Sequence, residues 1–286
     1  MNIKKIAPRQ RRKQVILFPL LVCIISLQQE LPVPRQTDGF WFASINRDQV
    51  NFQFKKTESD NSLYGNDFPL NDFSYLPKDK PGDFSLTRPA GKIDFTGQFD
   101  GTSGKGKYVF TPDEDFKQLM RNEGIALSTE RDMMDLYIVN VTVRYVHMLK
   151  NNGYTRLRKD EIVSLAAVGV DSGYIQLIKQ AGFSRVSLQE LISMRSLHID
   201  NDMIQSIRKA GYPTISSNEI ISVVSLGISV KTLVEYRETW YPNVTVQEVI
   251  EAHVAKVSPA QIKELKSKGN DTNGIRKYIR SQIALQ

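Results

Sequence analysis

Residues 101–108 read GTSGKGKY and come closest in this sequence to a motif of known chemistry. Two glycines and Lys107 stand at the offsets of a phosphate-binding loop, in which backbone N–H groups and a lysine hold nucleotide phosphates. Tyr108, however, stands where that loop needs a serine or threonine for magnesium. The following residues alternate as in a strand and stop at Pro112, whereas the loop needs a helix. We therefore predict a β-hairpin, with one remaining option: this glycine- and lysine-rich tip contacts an anionic polymer at the cell surface.

Other patterns for catalysis or metal binding are weak. His147, His198 and His253 have no second histidine or carboxylate at metal-ligand spacing. His198 occupies a helix-end position that glycine holds at residues 169 and 227, which favours a structural role. The sequence has no G-x-S-x-G segment of a serine hydrolase. It therefore predicts a protein that is not an enzyme, with no catalytic residue, no metal and no cofactor.

The formal net charge of +7 is concentrated near the N-terminus. Six lysines and arginines between residues 4 and 13 precede the first acid, Glu30, and the remaining chain is close to neutral. A nucleic-acid-binding protein gathers basic residues on its folded part. We therefore expect no nucleic-acid partner.

A continuous apolar run, residues 15–27, follows these charges, as in a secretory signal peptide. The run is shorter than the roughly 20 residues of a membrane-crossing helix, contains Pro19, and is followed by no A-x-A cleavage site. Residues 1–27 are therefore interpreted as a signal peptide or a short membrane anchor, and the protein as exported, periplasmic or attached to the cell envelope. Cys23 is the only cysteine, and bulky Val22 before it disfavours a lipoprotein; after cleavage, no thiol chemistry would remain.

The next segments predict a polar linker, residues 28–39, and a small β-rich domain, residues 40–112. Strands are expected over residues 40–45, 49–55, 84–88, 92–99 and 106–111, where aromatic and β-branched residues alternate with polar ones. Residues 57–82 are rich in Asn, Asp, Ser, Pro and Gly and predict a long mobile loop. Its aromatic residues are expected to be exposed: Tyr64, Phe68, Phe73 and Tyr75.

A period of 29 residues runs through residues 113–286 and predicts a tandem α-helical repeat domain. It is marked by glycines, with tryptophan in one register: Gly124, Gly153, Gly182, Gly211, Trp240 and Gly269. Five residues later stands a hydroxyl residue followed after three by an acid, which indicates a capping box at a helix start. Arg158 takes the place of the hydroxyl residue in one unit, and the loss of this cap is expected to cost that helix about 1 kcal/mol of stability. A second helix cap recurs thirteen residues after the first: Thr142, Asp171, Asp200, Ser229 and Ser258.

Each unit is thus predicted to be two short helices, the second ended by the glycine in the left-handed conformation. A lysine or arginine in its last turn suits the helix dipole, and an aromatic residue after the glycine packs between units. Since one unit cannot bury its own apolar face, the units must stack into an α-solenoid, which makes the chain α+β. Tyr236, Trp240 and Tyr241 form an aromatic cluster that either binds a partner or fills the place of the absent glycine.

Two repeat units, YIQLIKQAGFSRVSLQELISMRSLHID and IQSIRKAGYPTISSNEIISVVSLGIS, resemble a helical repeat of exported bacterial proteins. The same repeat occurs in the extracytoplasmic tails of membrane metallopeptidases of the β-lactam-sensor type. The segment FSLTRPAGKIDFTGQFDGTSGKGKYVFTPD resembles the β segment before those repeats, so the likeness covers about residues 84–270. The peptidase motif H-E-x-x-H is missing. The resemblance therefore implies a sensor- or adaptor-like domain without its enzyme.

Two hypotheses about function follow. In the first, the chain is a non-enzymatic envelope protein whose repeats bind a protein or peptide, with membrane association through residues 15–27. In the second, it binds carbohydrate or is a divergent enzyme, with its site in the β domain and the 57–82 loop.

Overall fold

The computed structural model describes residues 37–59 and 64–285, all within one compact unit. The predicted signal segment and most of the predicted linker lie outside these residues. The chain folds into a six-stranded antiparallel sheet followed by a tandem array of short helices, an α+β architecture as expected.

The strands pair in the order β3-β2-β1-β6-β5-β4. Their bounds are β1 Thr37–Asn46, β2 Gln49–Lys55, β3 Tyr64–Pro69, β4 Gly82–Arg88, β5 Gly91–Asp100 and β6 Ser103–Pro112. A short 3-10 helix, Leu70–Asp72, follows β3. The sheet therefore consists of two three-stranded meanders joined by the pairing of β1 with β6.

Rings from distant strands meet in the sheet core. Phe52 on β2 and Phe95 on β5 are three strand spacings apart, which is about 14 Å in a flat sheet. Their ring centroids are nevertheless 5.0 Å apart, so the sheet curls strongly around its aromatic face. Trp41 lies in this core with 0% exposure and packs 5.4 Å from Phe52.

Two glycines within residues 101–108 leave room for the aromatic rings of the sheet core. A Cβ atom on Gly106 would lie 2.7 Å from Nε1 of Trp41, and one on Gly104 would lie 2.7 Å from the ring of Phe99. The turn itself is Gly101–Thr102, with Gly101 at a φ of 57°. The hairpin prediction is confirmed, and close approach of large rings explains the small residues.

Two boundary predictions are wrong. The linker was expected to reach residue 39, but β1 begins at Thr37 and pairs with β6 from its first residue. The 57–82 segment contains β3 and the 3-10 helix, and two of its aromatic residues, Phe68 and Phe73, lie in the core at 0% and 8% exposure. The composition of β3 does not predict a strand, and pairing with the neighbouring strand gives this segment its extended conformation.

Twelve α-helices follow the sheet within the described residues. The first six are α1 Glu114–Asn122, α2 Glu130–Ile138, α3 Val143–Asn151, α4 Lys159–Ala167, α5 Ser172–Gln180 and α6 Leu188–Ser196. The others are α7 Asn201–Lys209, α8 Ser217–Ser225, α9 Val230–Thr239, α10 Val246–Val254, α11 Pro259–Ser267 and α12 Thr272–Ala284. Helices one repeat apart pack together: α4 contacts α2 and α6, α8 contacts α6 and α10, and α9 contacts α7 and α11. The array is the predicted two-layered stack of repeats.

The helix caps follow the predicted rules. Ser187 Oγ accepts from Glu190 N at 3.2 Å while Glu190 accepts from Ser187 N at 2.7 Å, the reciprocal capping box. At α4 the arginine offers no acceptor, and only half the box remains, from Arg158 N to Glu161 at 2.9 Å. All five register glycines have positive φ, from 80° at Gly124 to 103° at Gly211. The first helix of each unit also ends in a left-handed residue, which explains His198 at 53°.

Candidate functional site

Cations link each repeat to the one before it. Lys150 Nζ donates to the carbonyl of Glu123 at 2.8 Å, and Lys179 Nζ donates to the carbonyl of Asn152 at 2.9 Å. Further along, Arg237 Nη1 donates to Gly211 O at 2.6 Å and Lys266 Nζ to Trp240 O at 2.9 Å. The acceptors lie at or just after the end of the corresponding helix in the preceding unit, where carbonyls have no partner within the helix.

The fifth cation of this register, Arg208, instead stacks over Phe183 with 5.3 Å from its Cζ to the ring centroid. The sequence pattern associated these cations with the dipole of their own helix. The acceptors given above show that most of them act on the neighbouring unit as well. We call the set of Lys150, Lys179, Arg208, Arg237 and Lys266 the cation ladder.

The register departs from glycine at Trp240. The φ of Trp240 is −85°, and α9 continues to Thr239, one residue longer than the helices α1 to α8. The indole is 2% exposed, and its Nε1 has no hydrogen-bond partner among the described residues. A buried N–H without an acceptor is costly, and Nε1 of Trp41 in the sheet core is in the same condition.

The other members of the predicted aromatic cluster have structural partners. Tyr236 is 1% exposed and donates to Val257 O at 2.8 Å, and burial raises its pKa to about 12. Tyr241 is half-buried, donates to Glu248 and accepts from Arg276 Nη2 at 2.6 Å. The contacts of Tyr236 and Tyr241 agree with the alternative that the cluster fills the place of the absent glycine, and partner binding by the cluster stays a prediction.

A groove of about 710 Å³ lies beside Trp240. We call it the C-terminal groove; its apolar wall is formed by Ala210, Val234 and Ile275 and its polar wall by Arg237, Lys266 and Asn270. The same register position as Val234 holds Gln176 and Gln205 in the preceding units. One unit therefore has valine in place of the recurrent glutamine and tryptophan in place of glycine. These two replacements in the sequence indicate the position of the groove.

A second feature is the outer face of the sheet. Phe40 and Phe42 point outward from β1, opposite to the buried Trp41, and are only partly exposed. In the strand register Phe40 lies between Lys55 and Lys107, and Phe42 lies beside Lys105. Lys55 Nζ stands 5.1 Å from the ring centroid of Phe42, and Lys107 Nζ stands 5.8 Å from that of Phe40. These five residues are called the Phe–Lys face.

The described aromatic residues of the 57–82 segment lie in different surroundings. Tyr64 donates to Asp135 at 2.5 Å and lies 3.6 Å from the guanidinium of Arg131, so it joins β3 to α2. Phe68 lies in the core beneath Arg88, 4.4 Å from the guanidinium carbon. Only Tyr75 is widely exposed, at 57%.

The histidines are also separated. His147 contacts Glu123 at 2.8 Å on the surface of the array. Across residues 37–59 and 64–285, no group of three or more His, Cys, Asp or Glu side chains is arranged to hold a metal ion. In the same residues, no single helix has the length and apolarity of a membrane-crossing helix.

Comparison with known proteins leaves the family open. No protein-family model matches this chain, and no curated protein sequence matches it significantly.

Proposed function

We propose that this protein is a non-enzymatic scaffold of the cell envelope, sensor- or adaptor-like, whose helical repeats bind a protein or peptide segment. The observation that carries the proposal is the C-terminal groove, placed at the one departure from glycine in the described register. Stacked repeats expose long surfaces on which local side-chain changes create binding sites without altering the fold. The envelope location rests on the basic and apolar pattern of residues 1–27.

The groove offers what an extended peptide needs. Val234 and Ile275 provide apolar contact, and Asn270 provides an amide at the rim. The side chain of Trp240 forms part of the groove lining, and an apolar group of a peptide in the groove would pack beside it. Arg237 and Lys266 share the lining of the groove with Glu238 and Asp271, so its polar groups carry both signs of charge. We therefore favour a peptide with an apolar side chain flanked by polar or charged groups.

A selection experiment tests this proposal. The full chain is screened against a displayed library of random peptides, and the affinity of each selected peptide is measured by calorimetry. Val234→Gln is the test variant, because it installs the residue present at the same register in two other units and should leave the fold intact. Gln205→Val is the matched control in the neighbouring unit.

We expect Val234→Gln to weaken the selected peptides about tenfold, the factor given by roughly 1.4 kcal/mol, and Gln205→Val to leave them unchanged. Failure to enrich any peptide, or equal affinity for both variants and the parent chain, would refute the groove as a peptide site.

A further inference from the structure

The geometry of the outer sheet face points to a second binding activity. We infer that the Phe–Lys face binds an anionic polysaccharide, with sugar rings against Phe40 and Phe42 and acidic groups against Lys55, Lys105 and Lys107. This activity is separate from the C-terminal groove and does not depend on it.

Two partly exposed aromatic rings lie on the solvent side of the sheet. Alternation along β1 sends Trp41 into the core and Phe40 and Phe42 outward. The two outward rings are about 7 Å apart along the strand, since residues i and i+2 share a face. Two adjacent rings on one face form a platform on which flat apolar faces of a ligand can pack.

The lysines of the Phe–Lys face provide positive charge. None of the ion pairs between described residues involves Lys55, Lys105 or Lys107, whereas Lys92 on the same sheet is paired with Asp94 at 2.6 Å. The ammonium groups of Lys55 and Lys107 lie over the Phe rings rather than beside carboxylates. The local positive charge is thus free to attract an anion, although the chain outside its N-terminal segment is close to neutral.

A groove lies next to the Phe–Lys face. It has a volume of about 640 Å³, and its lining includes Phe42, Lys105, Gln98, Ser103, Asp100 and Pro81. Gly97 and Gly104 also line the groove, and a Cβ atom on either would meet Trp41 or Phe99 in the core. Amide, hydroxyl and carboxylate groups beside an aromatic ring can hydrogen-bond sugar hydroxyls.

These features favour a charged sugar polymer over other polyanions. A lipid surface or a peptide of acidic residues needs the lysines alone, whereas the groove and the rings add contacts for sugar rings. Nucleic acid also stacks on aromatic side chains and binds lysines, and it is therefore an alternative that the experiment has to separate.

The experiment measures binding to the full chain in a non-ionic detergent by calorimetry. The probe is an oligogalacturonate of defined length, compared with an uncharged malto-oligosaccharide of equal length, a poly-glutamate of equal charge and an oligothymidylate. The variants are Phe42→Ala and Lys105→Gln, with Lys92→Gln as the control that removes the same charge elsewhere on the sheet. Thermal unfolding of each variant reports whether the fold is kept.

We expect oligogalacturonate to bind, and Phe42→Ala and Lys105→Gln each to weaken it about tenfold, while Lys92→Gln has no effect. Added salt should weaken binding further. Equal binding of poly-glutamate would show that only charge is recognised, and tighter binding of oligothymidylate would show a nucleic-acid surface; either result overturns the inference. It is also overturned if oligogalacturonate does not bind, or binds equally to a folded Phe42→Ala variant.

Discussion

Lys179 Nζ donates a hydrogen bond to the backbone carbonyl of Asn152, 2.9 Å away, across the junction between two repeats. The same lysine also stands 3.4 Å from the side-chain oxygen of Asn152. One side chain therefore satisfies the end of the preceding helix and fixes the position of the next unit. This relationship recurs along the cation ladder and leads to the first prediction.

Lys179→Met should destabilise the array by about 1–2 kcal/mol, because the Asn152 carbonyl loses its charged donor. Urea unfolding of the full chain measures the change. Lys231→Met is the control, since its side chain is 85% exposed and contacts Glu235 only at 3.7 Å. Equal stability of the two variants would show that the ladder does not hold the units together.

Trp240→Gly restores the register residue but should lower the free energy of unfolding by at least about 3 kcal/mol, since a large buried ring is lost. Trp240→Phe keeps most of the packing and removes the Nε1 group that lacks a partner, so its cost should be much smaller. Thermal and urea unfolding measure both. A stabilising Trp240→Gly variant would mean that the tryptophan is present for binding alone.

Arg88→Met should uncouple the sheet from the helices. Arg88 Nη1 donates to the carbonyl of Ile138 at 2.9 Å, and Nη2 pairs with Asp72 at 3.2 Å, with the arginine side chain 7% exposed. Asp72 is 34% exposed, so the main loss is the charged hydrogen bond to the helix-end carbonyl, worth about 1.5–3 kcal/mol. We expect lower stability and a broader unfolding transition by circular dichroism; a transition as sharp and as high as that of the parent would contradict the coupling.

Glu248 should make the C-terminal units sensitive to acid. Burial raises the pKa of Glu248, but hydrogen bonds from Thr245 N, Tyr241 and Arg276 outweigh burial, so the pKa lies below its usual 4.5. A lowered folded-state pKa gives stability that is complete above pH 4.5 and is lost as the pH falls through the folded value.

Glu248→Gln should therefore cost about 1.5–3 kcal/mol at neutral pH and less at acidic pH, measured by urea unfolding at both. Glu251→Gln on the same helix is the control, since Gln247 is its hydrogen-bond partner at 3.2 Å. A cost of Glu248→Gln that does not change with pH would contradict the assignment.

The repeat could be predicted from sequence because its determinants are local. A cap such as Ser187 and a left-handed glycine such as Gly211 act within one turn of the chain, so their spacing reports the helix ends directly. The role of Lys179 was only half predicted, since its acceptor lies 27 residues away and spacing does not identify it. The C-terminal groove had a sequence signal in Trp240, but spacing alone does not show how deeply the rings of Tyr236 and Trp240 are buried.

The sheet was predicted less completely. The segment Tyr64–Pro69 reads YGNDFP, and four of its six residues disfavour strands, so pairing with β2 determines its conformation. The lysines of β2 and β6 lie beside the phenylalanines of β1 because of the register in which these strands pair. The position of β6 next to β1 joins strands that are far apart in sequence. Neither the buried position of Phe68 nor the Phe–Lys face could be derived from alternation alone.

Four of the five cations in the ladder bind a main-chain carbonyl of the neighbouring unit, so these junctions are chemically alike. Duplication or loss of one whole 29-residue unit would therefore leave matching surfaces on both sides. We expect such a change to be tolerated where a shift by a few residues is not. During evolution the protein can then gain or lose whole 29-residue units while the packing within each remaining unit stays the same.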